Sequence, residues 1–493
     1  MAPPGNFALR AERAAAAKGW LRDTAFVVGD RAFTHGEVHD GGARMAALLA
    51  GLGVTLGDRV LLVAPDGMGF VWTFLGALRL GAVIIPVNSR LTRDDHRGIL
   101  GHCGARVVVA SADAVGHFDD AVTVVEDDLT EVLAGQALHH PGVEVADDDP
   151  AYAQYTSGTT GAPKAAVHRH RDPDVYFEAF ARPAARIKQH DVLLSASKMF
   201  FAYGLGNSLF FTILSGCRAV LHREAPRPDV VAALVAQHGV TVLFGVPTFY
   251  AHLVSVAGTR AMPTVRVAVC AGEPLTVVLA ERVRRCLGFP ILDGLGSTEV
   301  GQTFVSNTLD LQRDGTVGRA LPPYEVAVRG DDGRPLGHGD VGTLWVRGPT
   351  VMAEYLGAPE ATAAVIDGDW LKTGDRACVD PDGFVRLEGR IDDIEIVGGV
   401  NVAPSEIEAV LADHEAVVEV AVASVRDGLG ASRLEAFVVA APGAPPADEL
   451  ATELLARAGE RLAPHKVPRD VRFVDALPRT ATGKLRRFVL RGG

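Results

Sequence analysis

Apolar runs rich in β-branched residues, "RVLLVAP", "ARVVVAS", "VTVLFGVP" and "VRVAVCAGEP", recur along the chain and alternate with Ala- and Leu-rich stretches of helical spacing. Such a rhythm specifies parallel strands joined by helices, the α/β class. At 493 residues the chain exceeds what one core holds at roughly 100 to 200 residues per domain, so it is expected to divide into cooperating units. From about Thr343 the pattern shifts to short strands and Gly/Asp turns, "GTLWVRGP" and "PDGFVRLEGR". Beyond Ile391 it changes again, to a helix opening at a proline ("PSEIEAVLADH"), strands "VVEVAVASV" and "RLEAFVVAA", and a second helix. The boundary falls at residues 390 to 393, giving a large domain over 1–390 and a small α+β domain over 391–493.

The stretch "GFVWTFLGALRLGAVIIPVN" is the most membrane-like, but it carries Arg79 near its middle and closes on a proline after a β-branched run. It reads as a buried helix feeding a buried strand rather than a span of about 20 uncharged residues. A net charge of -12 offers no basic footprint for nucleic acid and no polybasic anchor. Five scattered cysteines without CxxC spacing fit free thiols, and the first residues lack the apolar core of a secretory signal, so a cytoplasmic location is expected.

"YTSGTTGAPKAAVHRH" (155–170) gathers glycines, hydroxyls, a lysine and two histidines. Glycines let backbone N–H groups converge on an anion, and Lys164 adds a mobile cation, so the loop is suited to a polyphosphate. It does not follow the GxxxxGK[ST] pattern, because Gly158 and Gly161 stand too close together and Ala165 follows the lysine. Taken alone it also reads as a flexible surface turn. Four further segments point the same way. "DGLGSTE" places Thr298 and Glu299 at the tip of an apolar strand, a hydroxyl and a carboxylate suited to a phosphate and its Mg²⁺. "KTGD" sets Asp375 on a glycine turn, where a carboxylate accepts from both hydroxyls of a ribose. "GRIDD" joins Arg390, an anion or sugar ligand, to Asp392 at the domain boundary. "PRTATGKLRR" carries Lys484 on a small polar loop. Singly, Asp375 and Asp392 are equally turn formers, Arg390 a surface cation and Lys484 one charge of a basic tail.

In this order and spacing, together with "CAGEPL" and "GGVNVAPSEIE", these motifs resemble the acyl-adenylate-forming superfamily of acyl-CoA synthetases, peptide-synthetase adenylation domains and luciferases. The resemblance spans essentially the whole chain, and "KMFFAYGLGNSLFF" with "DGLGSTEVGQTFVSN" is most similar to the benzoate-CoA ligase branch. It implies a large α/β domain with a distorted β-barrel subdomain, a mobile C-terminal domain, and a two-step, ATP-dependent ligation. Ser157, Gly158, Thr159, Thr160, Gly161 and Lys164 would hold the β- and γ-phosphates, Thr298 the α-phosphate and Glu299 the Mg²⁺. Gly272, Glu273, Pro274, Asp293, Gly294 and Leu295 would frame adenine, and Asp375 with Arg390 the ribose. Lys484 would bridge the attacking carboxylate and the α-phosphate. The small domain would then swing on Asp392, withdrawing the lysine and bringing Gly398, Gly399 and Val400 to line a pantetheine channel for coenzyme A.

The acid would lie against Phe201, Ala202, Tyr203 and Gly204 on one side and Gly294, Leu295, Gly296 and Gly301 on the other, with glycines leaving room for a flat ring. A small aryl carboxylic acid is the expected substrate. A carrier-protein thiol is the alternative acceptor, and a non-catalytic nucleotide-binding regulator is disfavoured by retention of Lys484. Four positions depart from the family pattern: Leu295 for an adenine-stacking tyrosine found in many relatives, Ala165 for a glycine that would loosen the phosphate loop, Glu395 in a stretch usually apolar or basic, and Gln302 for a histidine. His168 and His170 form an HxH pair with no third ligand in view and are read as ordering the loop.

Overall fold

The computed structural model describes residues 5–119, 121–136, 138–156, 164–257, 262–390, 395–397, 400–426, 432–479 and 485–491. Ser157, Gly158, Thr159, Thr160, Gly161, Asp392, Gly398, Gly399 and Lys484 lie outside them.

Among the described residues, two large sheets carry the first part of the chain. One has nine strands in the order Arg319–Ala320, Thr303–Ser306, Ile291–Gly296, Val267–Ala271, Val242–Gly245, Val192–Ser195, Arg218–Leu221, Thr24–Val28 and Arg31–Thr34. Its interior pairings, from Ile291–Gly296 through to Thr24–Val28, are parallel. The other has six strands in the order Thr123–Val125, Val107–Ala110, Arg59–Val63, Val83–Pro86, Pro150–Thr156 and Lys164–Arg169, parallel except for the last pair. The four β-branched runs of the sequence are strands of these sheets, as their apolar character requires when both faces are covered.

Between the sheets lies the helix Met68–Arg79, all of whose residues are buried. A helix apolar on every side belongs in a core, and this one feeds the buried strand Val83–Pro86. No described helix is long and apolar enough to cross a membrane. Phe74 packs its ring against Tyr152 of the six-stranded sheet and Phe210 of a helix on the nine-stranded side, so one continuous core ties both sheets together. The neighbouring helix His35–Gly51 starts on a reciprocal cap, in which Thr34 accepts from the Glu37 N–H and Glu37 from the Thr34 N–H.

After residue 324 comes an antiparallel sheet of Glu325–Arg329, Gly342–Arg347, Trp370–Val379, Ile366–Asp367 and Val385–Arg390. It is joined to the nine-stranded sheet where the Val317 N–H donates to Val385 and Arg319 bridges Phe384. This is the half-barrel expected from the resemblance. Residues beyond Val402 pack around their own core of Val402, Ile407, Leu411, Val422, Leu434, Leu450 and Leu454. There the strands Val417–Arg426, Ser432–Ala440 and Asp470–Phe473 are backed by the helices Pro404–Ala412 and Ala447–Arg461. Pro404 occupies the first helical turn, where its missing N–H costs nothing.

Candidate active site

Thr298 and Glu299 stand half-buried on the turn that ends the strand Ile291–Gly296, as expected. Three contacts hold that turn. His168 Nε2 lies 2.8 Å from the Thr298 carbonyl, which only accepts, so the ring nitrogen carries the proton. The other ring nitrogen faces Asp172 at 3.2 Å and the Tyr176 hydroxyl at 3.3 Å. His168 is therefore an ordering residue, and no metal cluster of His, Cys, Asp or Glu occurs among the described residues. The Glu299 carboxylate accepts from the Tyr355 hydroxyl at 2.8 Å, and its carbonyl from the Met352 N–H at 2.7 Å. Lys164, the first residue of its strand, holds its ammonium 5.5 Å from the centre of the Tyr355 ring. Burial first, and then the Glu299 charge, push the Tyr355 phenol well above the ordinary tyrosine range, so it stays a donor. Tyr355 thus joins the expected cation to the expected carboxylate. It carries no motif signal in "GPTVMAEYLGAPE" that sequence reasoning could have used.

Ala165 lies inside the strand Lys164–Arg169, paired with Tyr155 and buried. Its expected influence as a loop residue is corrected accordingly: a Cβ is ordinary within a strand.

The segment expected to frame adenine follows the strand Val267–Ala271, whose neighbour in register places Cys270 beside Asp293 and Ala271 beside Gly294. Gly272 makes the turn with φ at +95°, a conformation favouring glycine. Glu273 accepts from the Thr248 N–H and, at 2.5 Å, from the Thr248 hydroxyl. Burial raises the Asp293 carboxyl well above the carboxylate range, only partly offset by the Gly294 N–H that donates to it at 3.0 Å. Leu295 is buried against Val305.

Asp375 departs from the expected glycine turn. It lies within the ten-residue strand Trp370–Val379, directly opposite Arg390, whose Nη1 donates to it at 3.2 Å. Gly374 has φ at +80°, and a Cβ there would stand 3.1 Å from the Arg390 guanidinium. The glycine therefore permits an irregular strand over which the arginine lies, rather than a chain reversal.

Phe201 caps the short helix Ala202–Leu205, which continues as a π-turn over Gly206–Phe210. Wide turns of this kind are common at functional sites. The Tyr203 hydroxyl donates to the Val269 carbonyl at 3.1 Å, and Gln302 reaches the Tyr203 carbonyl at 3.4 Å. The Gln302 side chain also accepts from Thr303, so at the position of the family's histidine the amide is engaged with protein. The two expected pocket walls are thus in contact. The expectation that glycines leave room for a ring is corrected. A Cβ on Gly204 would meet the Lys198 backbone at 2.1 Å, on Gly296 the Gln302 backbone at 2.9 Å, and on Gly301 the Tyr176 hydroxyl at 1.8 Å. Those spaces are filled by the protein itself, so the glycines serve close packing behind the pocket.

Glu395, the other departure, is buried and paired with Arg491 at 2.8 Å, within the C-terminal unit. Of the residues expected to line a pantetheine channel, Val400 opens the strand Val400–Val402, paired with Glu395–Val397.

A carboxylate, a hydroxyl and an ammonium thus converge at Tyr355, close enough to the Asp375–Arg390 pair for the Arg390 charge to act on the phenol. The model of the AMP-binding enzyme family matches residues 12–356, and that of the AMP-binding enzyme C-terminal domain matches 406–484. The chain belongs to the AMP-binding enzyme family. It is 44% identical over 491 residues to a p-hydroxybenzoic acid–AMP ligase of Mycobacterium tuberculosis, covering 99% of this chain and 69% of that protein. It is 38% identical to a benzoate–CoA ligase of Thauera aromatica, covering 90% and 88%. A benzoate CoA ligase from Burkholderia xenovorans superposes with a TM-score of 0.91 at 36% identity, covering 99% of both chains. An anthranilate CoA ligase in complex with anthranoyl-AMP superposes with a TM-score of 0.93 at 29% identity, covering 98% of this chain and 96% of that one.

Proposed function

We propose that the chain is an ATP-dependent ligase that converts a small aromatic carboxylic acid to its acyl-AMP and transfers the acyl group to coenzyme A. The observation that carries this reading is the Lys164–Tyr355–Glu299 cluster, with the Arg390 of the Asp375–Arg390 pair near enough to act on the Tyr355 phenol. A carboxylate does not react with a thiol at neutral pH, and joining it to the α-phosphate of ATP supplies a leaving group. That step crowds negative charge, so positioning and electrostatic stabilisation dominate it. Ser157, Thr159, Thr160 and Lys164 hold the outer phosphates, Thr298 the α-phosphate, and Asp375 the ribose hydroxyls with Arg390 alongside. The adenine lies between Glu273 and the strand end at Asp293 to Leu295.

Glu299 fits Mg²⁺: it is a hard oxygen donor with one oxygen engaged by Tyr355, and one carboxylate plus substrate phosphates is an ordinary magnesium set. Bound there, the ion would neutralise phosphate charge. Lys484 brings its ammonium between the acid and the α-phosphate. The chain divides at residues 390/391, and rotation about Asp392 then withdraws Lys484 and brings Gly398 to Val400 to the thiol channel. The free cysteines fit a reducing cytoplasm.

A second reading keeps the adenylation and changes the acceptor to a carrier-protein thiol. The relative named as an AMP ligase, of which this chain spans 69%, favours weighing it. Release of pyrophosphate across a panel of benzoates, followed by thioester formation with free CoA or a holo carrier protein, separates the two. Faster turnover with CoA supports the ligase, and turnover with the carrier alone supports the second reading.

A further inference from the structure

We propose that Arg479 is a positioning residue whose guanidinium clasps the C-terminal unit to the adenine segment and so holds the enzyme in the pose for adenylation. The inference rests on the two-step reading above and adds a residue that the motif assignments leave without a role.

Arg479 sits in the same "PRTATGK" stretch as Lys484, and its backbone bridges Leu485 on the far side of that loop. Its Nη1 donates to Glu273 of the adenine segment at 2.7 Å. Its Nη2 donates to the Thr248 hydroxyl at 3.0 Å and to Glu419, on the strand Val417–Arg426, at 2.7 Å. The second Glu419 oxygen faces His252 Nε2, on the helix Pro247–Ala257, at 2.7 Å. One guanidinium thus satisfies two carboxylates from opposite units, and its planar fork is suited to that double contact. The side chains are only 11 to 27% exposed, so water screens them incompletely.

The charges suit a clasp that opens. If the C-terminal unit turns away, Arg479 and Glu419 leave together as a neutral pair, while Glu273 keeps the Thr248 hydroxyl and N–H. Parting also releases His252 from Glu419, but that ring is exposed enough for water to replace the contact. No carboxylate is stripped of all its donors, so the large penalty of breaking a buried pair by removing one partner is avoided. Deleting the guanidinium does the opposite: Glu273 keeps Thr248 and Glu419 keeps His252, but the two carboxylates lose the cation they share in this pose.

The test uses the full-length chain with Arg479→Met, Arg479→Lys and Glu419→Gln. Two half-reactions are followed: pyrophosphate release from ATP and an aryl acid, and thioester formation from synthetic aryl-AMP and CoA. Arg479→Met is expected to slow the first by roughly tenfold, in the range of ordinary coupling free energies, and to leave the second within about twofold. Arg479→Lys recovers part of the loss. Fluorescent labels at His190→Cys and Glu460→Cys, both exposed, in a Cys286→Ser background report the distance between units. The distance distribution is expected to broaden in Arg479→Met. Equal loss in both half-reactions, or an unchanged distance distribution, overturns the proposal. If the unsubstituted chain activates no aryl acid, the functional reading fails, and the distance measurement still decides the clasp.

Discussion

Tyr355 shows how much of the site depends on residues without a motif. Its hydroxyl fixes Glu299, and its ring lies under the Lys164 ammonium. Tyr355→Phe keeps the ring and removes one hydrogen bond to a charged group, worth about 1.5–3 kcal/mol, so adenylation is expected to fall about tenfold or more. Titration of Mg²⁺ against pyrophosphate release checks it: the variant should need more metal, and an unchanged rate and requirement would remove Tyr355 from the site. His170 makes a prediction about acid. Its Nδ1 accepts from the Phe7 N–H at 3.2 Å, and burial, with Arg10 beside it, lowers its folded pKa to about 4. An unfolded histidine titrates near about 6.5, so between these values the unfolded chain takes up a proton that the folded one refuses. Stability therefore falls as pH drops from about 6.5 towards 4, by about 3 kcal/mol from this group. Denaturant midpoints at pH 7 and pH 4.5 should differ less in His170→Gln than in the parent; an equal difference would contradict the assignment. Motif spacing in the sequence singled out Glu299 and Lys164, which the fold brings together at Tyr355, and Asp375 and Arg390, which it pairs. It was silent on Tyr355, Glu419 and Thr248, whose roles arise only from folding.

At the level of elements, runs apolar throughout became buried strands, and the helix Met68–Arg79 became core, since composition alone dictates burial there. Local irregularities were harder to read. Gly374 looks like a turn in one dimension because a glycine before an aspartate has that chemistry, yet it sits mid-strand where Arg390 crosses. The pocket glycines looked like empty space and are instead contacts. Gly301 is the sharpest case, with φ at +85° and the Tyr176 hydroxyl and His168 ring filling its side-chain direction. Gly301→Ala is expected to destabilise the fold by at least about 2 kcal/mol through backbone strain and overpacking. Thermal unfolding compares it with the parent, and an unchanged midpoint would show that the Tyr176–His168 packing yields easily.

For the whole molecule, the presence of a small C-terminal domain beside the α/β body was legible from a change of pattern along the sequence, and its own core from Val402 to Val471 accounts for it. The pose of one unit on the other was not legible, because it depends on side chains far apart in sequence, such as Arg479 and Glu273. The central claim is that the chain joins an aromatic carboxylate to AMP before any thiol takes part. The most direct measurement is pyrophosphate release from ATP and Mg²⁺ with a panel of benzoates and no thiol present, run on the parent and on Lys484→Ala. The account expects a benzoate-dependent burst accompanied by aryl-AMP in the parent and its loss in the variant. Pyrophosphate release that is independent of the acid, or undiminished without Lys484, would contradict it.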